Sequence, residues 1–313
     1  MSASQAPGRP EQARNPRGGP PGVPAGRWAP WVPVLFLIPG CALIALVVVY
    51  PAIKALLLSF TDFNMITPAR AVGVANYVRL WGDPFFWSAL RNTLLYLSVV
   101  VPFLVVVPIF LALLVNRALP GLAFFRAALY LPVITSLVIS ALVWKWVYEE
   151  RGLLNHFLLA TGLTSEPVAF LTDPGNALFS VMAVTAWSGL GYYMIIYLAG
   201  LQAIPRHLYE VAEVEGVSRW QQTLHITIPL LKPQVALVAV MASIGAMKVF
   251  EEVYVMTQGG PLDSTKTLVF HLYESAFVDF EMGYAAAVGV VLFVITLALS
   301  LVNLWLLRAR EQR

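Results

Sequence analysis

"LLYLSVVVPFLVVVPIFLALLV" runs from Leu94 to Val115 without one charged residue. A helix needs about 20 predominantly apolar residues to cross the hydrocarbon core of a bilayer, and this run is long enough. Moving outward, comparable uncharged runs occupy 34–50, 127–144, 177–204, 233–247 and 282–307. The first and fifth are short unless Lys54 or Lys248 is included, and each lysine can snorkel or face a cavity. Together the runs predict an all-α polytopic membrane protein with six transmembrane helices.

Composition agrees. Of 313 residues, 59% are hydrophobic and 12% are charged, and the mean hydropathy is +0.74. Soluble domains are about 25% charged. The net charge of +3 comes from loops and termini rather than a basic stripe, so no nucleic acid is expected. A single cysteine, Cys41, excludes an intrachain disulfide and a Cys-based metal cluster. "IPGC" (Ile38–Cys41) faintly matches a lipoprotein cleavage box. Pro39 is out of place there, however, and the apolar run continues through "ALIALVVVY". Cys41 therefore reads as a membrane-buried side chain, and the run as a span rather than a cleaved signal peptide. Residues 1–28, rich in Pro, Gly and Arg, read as a disordered tail that cannot bury a core. The six-helix domain is then 29–313.

Lys and Arg set the orientation. One side carries Arg9, Arg14, Arg17 and Arg27 in the tail and Arg117 and Arg126 after the second span. It also has Arg206, Arg219 and Lys232 after the fourth span, and Arg308, Arg310 and Arg313 at the end. The other side has only Arg70, Arg79, Arg151 and Lys266. Both termini are expected in the cytoplasm. Pro39, Pro102 and Pro108, and "SGLGYY" (Ser188–Tyr193) in the fourth run, are expected to break their spans. Broken spans are tolerated where helices line an enclosed cavity.

Between the fourth and fifth runs lies "EVAEVEGVSRWQQTLHITIP" (Glu210–Pro229), unusually polar for this chain. Leu208, Val211, Ala212 and Val214 fall at roughly helical spacing, and Gly216 interrupts them. Ser218 is placed to cap a second short helix, "RWQQTL", that Pro229 ends. Glu210, Glu213 and Glu215 are then offered to the cytosol. Physics alone leaves two readings open: a solvated amphipathic loop, or a docking element for a soluble partner.

The spacing E-x-A-x(3)-G-x(9)-I-x-x-P, met by Glu210, Ala212, Gly216, Ile226 and Pro229, resembles the EAA loop of bacterial ATP-binding-cassette (ABC) importer permeases. Val211 stands where that family usually has Ala, and Ile228 where it usually has Leu. "RNTLLYL" (Arg91–Leu97), "LYLPVITSLVISALVWKWVYEERGLLN" (Leu129–Asn155) and "YVMTQGGPLDSTKTLVFHLYESAF" (Tyr254–Phe277) are similar to the carbohydrate-uptake branch. In particular they resemble the permease that maltose- and glycerol-3-phosphate-type systems place first. The resemblance covers residue 30 or so to the C-terminus. It implies a type I ABC importer permease fold in the bacterial cytoplasmic (inner) membrane, with 205–230 as the cytoplasmic coupling loop. Implied partners are a second homologous permease, a cytoplasmic ATPase dimer and an extracytoplasmic solute-binding protein, all in membrane lipid. The chain has no G-x-x-x-x-G-K-[ST] loop. It is expected to be no enzyme and to hold no cofactor or metal, with ATP bound and hydrolysed by the partner.

In that family the loop helix docks in a cleft of the ATPase. This makes Glu210, Glu213, Ala212 and Gly216 the expected coupling residues. Glu210 suits charge-assisted hydrogen bonds, and Gly216 suits a tight turn. Trp187, Gly189 and Tyr192 match, by distance from the EAA glutamate, positions that face sugar in maltose-type permeases. Thr185 adds a mid-membrane hydroxyl. The alternative for the aromatics is an interface belt. Lys248 is spaced to pair with Glu251 or Glu252 on one helix face, as a gating or structural pair or as the counter-charge for an anionic solute. Thr135, Ser136 and Ser140 suit helix packing as well as path lining. His156, His207, His225 and His271 are expected in loops, scattered.

Three rivals remain: a membrane enzyme, an amino-acid or phosphate permease, and a stand-alone secondary transporter. No clustered acid–base set supports the first, and the coupling loop has no purpose in the last. The solute is left open between a disaccharide, a maltodextrin, a polyol and glycerol 3-phosphate.

Overall fold

The computed structural model describes residues 31–116 and 121–308. The expected disordered tail, Arg117, Arg310 and Arg313 lie outside the described residues. Among the described residues the structure is helical, with one isolated bridge (Thr61–Ala71) and no strand. Contacts divide the chain between Ile53 and Lys54, and the two parts are taken separately.

The first part holds α1 (Trp31–Ile44), which keeps Pro39 inside it, and the π turn Ala45–Val49. The segment long and apolar enough to span runs Val34–Leu58, 25 residues. It exceeds the 17-residue run because the helix continues through Lys54 as α2 (Tyr50–Leu58). Cys41 is exposed on this helix.

The second part continues with α3 (Ala75–Gly82) and α4 (Pro84–Val115), which is 32 residues long. Asp83 caps α4 by accepting the Phe85 N–H at 2.8 Å. Pro84 sits at the first helical position, where a missing N–H costs nothing. The helix thus starts ten residues before the apolar run. Its buried positions Phe86, Ala89, Thr93, Tyr96, Val100, Leu104, Pro108, Ala112 and Val115 form one stripe at three- and four-residue spacing. Pro102 and Pro108 do not break it. At its far end the Arg126 guanidinium donates to the Val115 carbonyl, satisfying a carbonyl the helix leaves open.

The third span is not straight. α5 (Leu122–Ile134) and α6 (Leu137–Val147) are bent by 99°. Thr135 and Ser136 between them have ψ of 136° and 132°, outside the helical region, just past Pro132. The described residues therefore give five long apolar helices, or six if this bent pair is one span. α7 (Leu153–Ala160) follows and contains His156.

α8 (Ala177–Ala203) is one unbroken helix of 27 residues. The break expected at Ser188–Tyr193 is absent. Its glycines serve close approach instead. A Cβ at Gly189 would meet the Leu104 methyls of α4 at 3.0 and 3.3 Å, and one at Gly191 would overlap the Leu129 carbonyl of α5. α8 packs on α4 and α5 through these notches. The two helices α4 and α8 run side by side in the same direction, since Tyr96 meets Thr185 and the Val105 carbonyl meets the Tyr197 hydroxyl.

After α8 come α9 (His207–Val214), α10 (Arg219–Gln222), a π turn (Thr223–Thr227) and α11 (Ile228–Leu230). Pro229 does not end α10 as expected. It lies in the first turn of α11, where its lack of an N–H is harmless. α12 (Lys232–Met247) then carries the fifth span to an unwound stretch at 248–250, and α13 (Glu251–Met256) resumes it. The chain closes with α14 (Leu268–Phe277) and α15 (Met282–Arg308). His271 is buried within α14, and His207 opens α9, so these two histidines and His156 sit on helices rather than in loops.

Candidate functional site

Three polar regions stand out on this apolar frame. The first is the α9–α10 hairpin at the C-terminal ends of α4 and α8, where Ile204 and Leu201 pack with Val115. α9 stops in a six-to-one closure: the Val217 N–H donates to the Ala212 carbonyl at 2.9 Å, and the Gly216 N–H to the Glu213 carbonyl at 3.1 Å. This closure needs a left-handed residue, and Gly216 has φ of +75°. Ser218 and Gln221 then form a reciprocal capping box at the start of α10. The Gln222 side chain donates to the Val217 carbonyl at 3.0 Å, and Tyr209 and Thr227 share a hydrogen bond of 2.9 Å. The hairpin is thus closed on itself.

Of the four expected coupling residues, Glu210 and Glu213 are exposed and Gly216 makes the turn. Ala212 is buried and packs beneath the hairpin, because it faces the body where the glutamates face out. Val214, read from the sequence as one of the helix's apolar positions, does not face the body but is 89% exposed, and Trp220, which sequence reasoning did not single out, is 64% exposed. Glu215 is exposed beside them. Three carboxylates, unpaired among the described residues, flank apolar side chains that no neighbour covers. Such a surface suits a protein partner.

The second region is a cavity of about 280 Å³ half-way along α4 and α8. Thr185, Gly189 and Tyr192 line it, with Tyr193, Leu104, Thr135 and Glu252. Thr185 donates to the Glu252 carboxylate and hydrogen-bonds the Tyr96 hydroxyl, both at 2.5 Å. Trp187 lies outside. It stacks edge-on against Trp144 with ring centroids 5.5 Å apart. Lys248 and Glu251 also lie outside and are exposed. The expected pair between Lys248 and Glu251 or Glu252 is absent among the described residues. Helical i+3 spacing does not apply here, because α12 ends at Met247 and Phe250 has φ of −145°. Tyr96 was missed in the sequence, where it sits in an apolar run. Its place on the buried stripe of α4 was the available signal.

The third region lies at the opposite end, where α4, α14 and α15 begin. Arg79 pairs with both oxygens of Glu281 at 2.9 and 2.7 Å, and its guanidinium stacks over Tyr284. Tyr284 donates to Asp83. His271 Nε2 is buried with no hydrogen bond, 3.5 Å from Asp83 Oδ2. Burial pushes the His271 pKa below its usual value, and the opposing pull of Asp83 is weaker. Burial pushes the Asp83 carboxyl up, but the Tyr284 and Phe85 hydrogen bonds and His271 together outweigh it and hold it low. Lys266 is bridged by Glu274 at 2.5 Å and Asp263 at 2.9 Å. These groups come from segments as much as 202 residues apart, so spacing did not reveal them. Among the described residues no group of three or more His, Cys, Asp or Glu is arranged to hold a metal ion.

Residues 80–312 match the family described as "Binding-protein-dependent transport system inner membrane component". The chain is 37% identical over 284 residues to the lactose transport system permease protein LacF of Rhizobium radiobacter, an alignment covering 88% of this chain and 94% of LacF. Among solved structures it resembles a chain of a bacterial ABC transporter involved in import of the acidic polysaccharide alginate. That match has a TM-score of 0.78 and 26% identity, and covers 89% of this chain and 96% of the other. A second structure, the alginate transporter in complex with an alginate pentasaccharide-bound periplasmic protein, matches with a TM-score of 0.76 and 26% identity, covering 87% and 92%.

Proposed function

The chain belongs to the family of binding-protein-dependent transport system inner membrane components, and from that premise we propose that it is the permease subunit of an ATP-driven carbohydrate importer. It is a multi-pass membrane protein and not an enzyme. In this reading it forms half of the translocation path, and a second homologous permease forms the rest. An ATPase dimer binds and hydrolyses ATP on the cytoplasmic side. An extracytoplasmic binding protein delivers the solute, and the setting is a bacterial cytoplasmic membrane. The 37% identity to a lactose permease over nearly the whole chain supports the sugar branch.

The observation that carries the mechanism is the hairpin. Between two apolar spans, it exposes Glu210, Glu213, Val214 and Trp220 on a self-braced support. Arg126, Arg206, Arg219 and Lys232 flank the same end, which supports a cytoplasmic position for it and for both termini. A soluble ATPase that grips this hairpin moves it as one body, since its own hydrogen bonds resist bending. The buried contacts of Leu201, Ile204 and Leu231 then pass the movement to α8 and α12. Those helices wall the cavity that holds Thr185, Gly189 and Tyr192. Closure of the ATPase is thereby turned into a change of the path.

The test is reconstitution of the chain with its partner permease, ATPase and binding protein in vesicles. Uptake of labelled sugar that requires both ATP and the binding protein supports the reading. Uptake by the chain alone on an ion gradient overturns it.

A further inference from the structure

The cavity beside α8 differs in charge from what an anionic solute requires. Its polar walls are Thr135, Thr185, Ser188, Tyr192, Tyr193 and Glu252, and no Lys, Arg or His is among its lining residues. Lys248 is outside and exposed where the fifth span unwinds, and Lys145 on α6 is outside too, its ammonium donating to the Val255 carbonyl of α13. Glu252 is 3% exposed. Its Oε1 accepts the Thr185 hydroxyl. Thr185 has no second hydrogen to give, so the Tyr96 hydroxyl donates to it. The order Tyr96, Thr185, Glu252 therefore points one way and holds the carboxyl at the cavity wall. Among the described residues Thr185 is the one side chain that hydrogen-bonds the Glu252 carboxylate, and no ion pair reaches it.

We propose that Glu252 contacts the solute in the path, its carboxylate accepting a sugar hydroxyl, and that this chain's half of the path favours uncharged polyhydroxylated solutes over anionic ones. The proposal rests on the carbohydrate reading above and narrows it. A hydroxyl adds a donor to a carboxylate that a single side chain holds. An anion gains nothing, because in either protonation state the wall offers no positive charge to repay its desolvation. Against an ionised Glu252 it is also repelled, and in a membrane cavity repulsion at contact far exceeds that in water. The similar alginate transporter is involved in import of an acidic polysaccharide, so the fold does not decide this property; the cavity wall does. Glycerol 3-phosphate, one solute the sequence leaves open, is then disfavoured by this half of the path, and a neutral disaccharide or polyol is favoured.

The experiment uses the complete complex in vesicles, with uptake normalised to assembled complex. The probes are a panel of neutral sugars and polyols that includes lactose, the anionic lactobionate, and glycerol 3-phosphate. Glu252→Gln keeps shape and hydrogen bonding, and Glu252→Leu removes both. Expected are uptake of a neutral panel member by the wild type, retention within about three-fold in Glu252→Gln, and loss of ten-fold or more in Glu252→Leu. Stimulation of the ATPase by the loaded binding protein should persist in both variants. Equal uptake by Glu252→Leu and wild type overturns the contact. Lactobionate carried as fast as lactose overturns the charge preference while leaving the carbohydrate reading intact. Glycerol 3-phosphate carried with no sugar moved overturns both.

Discussion

Gly216→Val isolates the turn that holds the hairpin together. The glycine has φ of +75°, and a Cβ placed on it meets nothing within 4 Å. Steric crowding is therefore absent, and the whole cost is conformational. A left-handed conformation costs an L-residue roughly 1–2 kcal/mol, and for a β-branched residue about 2–3 kcal/mol is reasonable. α9 has eight residues and α10 four, too few for either helix to persist without its neighbours, so the strain is not absorbed elsewhere. Each 1.4 kcal/mol is a factor of about ten in an equilibrium constant, and Val should lower the constant for forming the native turn by roughly thirty- to a hundred-fold. Uptake and ATPase co-purification, each per inserted chain, should fall by ten-fold or more at unchanged expression. Ala should lose a few-fold, and Asn, which tolerates the left-handed region, should stay near Gly. The order Gly, Asn, Ala, Val follows conformational preference rather than size. Normal ATPase co-purification by Gly216→Val refutes the reasoning.

Glu210→Lys should leave insertion and thermal stability unchanged, since the side chain is exposed and unpaired among the described residues, yet cut ATP-coupled uptake by ten-fold or more, because a reversed interfacial charge costs several kcal/mol. Near-normal uptake would remove the docking role. Gly191→Ala should lower the melting temperature, because its Cβ overlaps the Leu129 carbonyl and overpacking costs typically about 1–3 kcal/mol; an unchanged melting curve would mean that α5 and α8 part freely. Tyr192→Ala should reduce uptake per assembled complex by roughly ten-fold, with ATPase stimulation partly kept; a constant normalised rate would assign the tyrosine to packing. For His271 the sign follows from its depressed pKa: above about pH 6.5 it is neutral in both folded and unfolded chains, and below that the unfolded chain takes up the proton more readily. Stability should therefore fall as pH drops from 6.5 toward 5, and His271→Gln should flatten that decline; identical pH profiles would dismiss His271 as its source.

The spans were legible because bilayer thickness imposes a length that shows directly in uncharged runs such as Leu94–Val115. The hairpin was legible because Glu210, Ala212 and Gly216 are local in sequence and their geometry is set by a single turn. Two features were misread for the same reason. Gly189 and Gly191 looked like a break, but a glycine marks either a break or a close approach, and only the position of Leu104 and Leu129 distinguishes them. Lys248 and Glu251 looked like a helical pair, but unwinding at 248–250 removes the spacing on which the pair depends. Tyr96 and Asp83 were hidden because their partners, Thr185 and Tyr284, are brought to them by packing.

The role of the hairpin is testable by cross-linking. With Cys41→Ser as background, Val214→Cys places a thiol at a position 89% exposed on α9, and Leu262→Cys places one at a position 90% exposed on the loop before α14. In membranes carrying the assembled complex, a short bifunctional reagent should join residue 214 to the ATPase subunit and residue 262 to no ATPase. A membrane-impermeant maleimide applied from outside intact cells should label residue 262 and leave residue 214 unlabelled. An ATPase cross-link at 262, or external labelling at 214 with no ATPase attached, would contradict the coupling role of the hairpin.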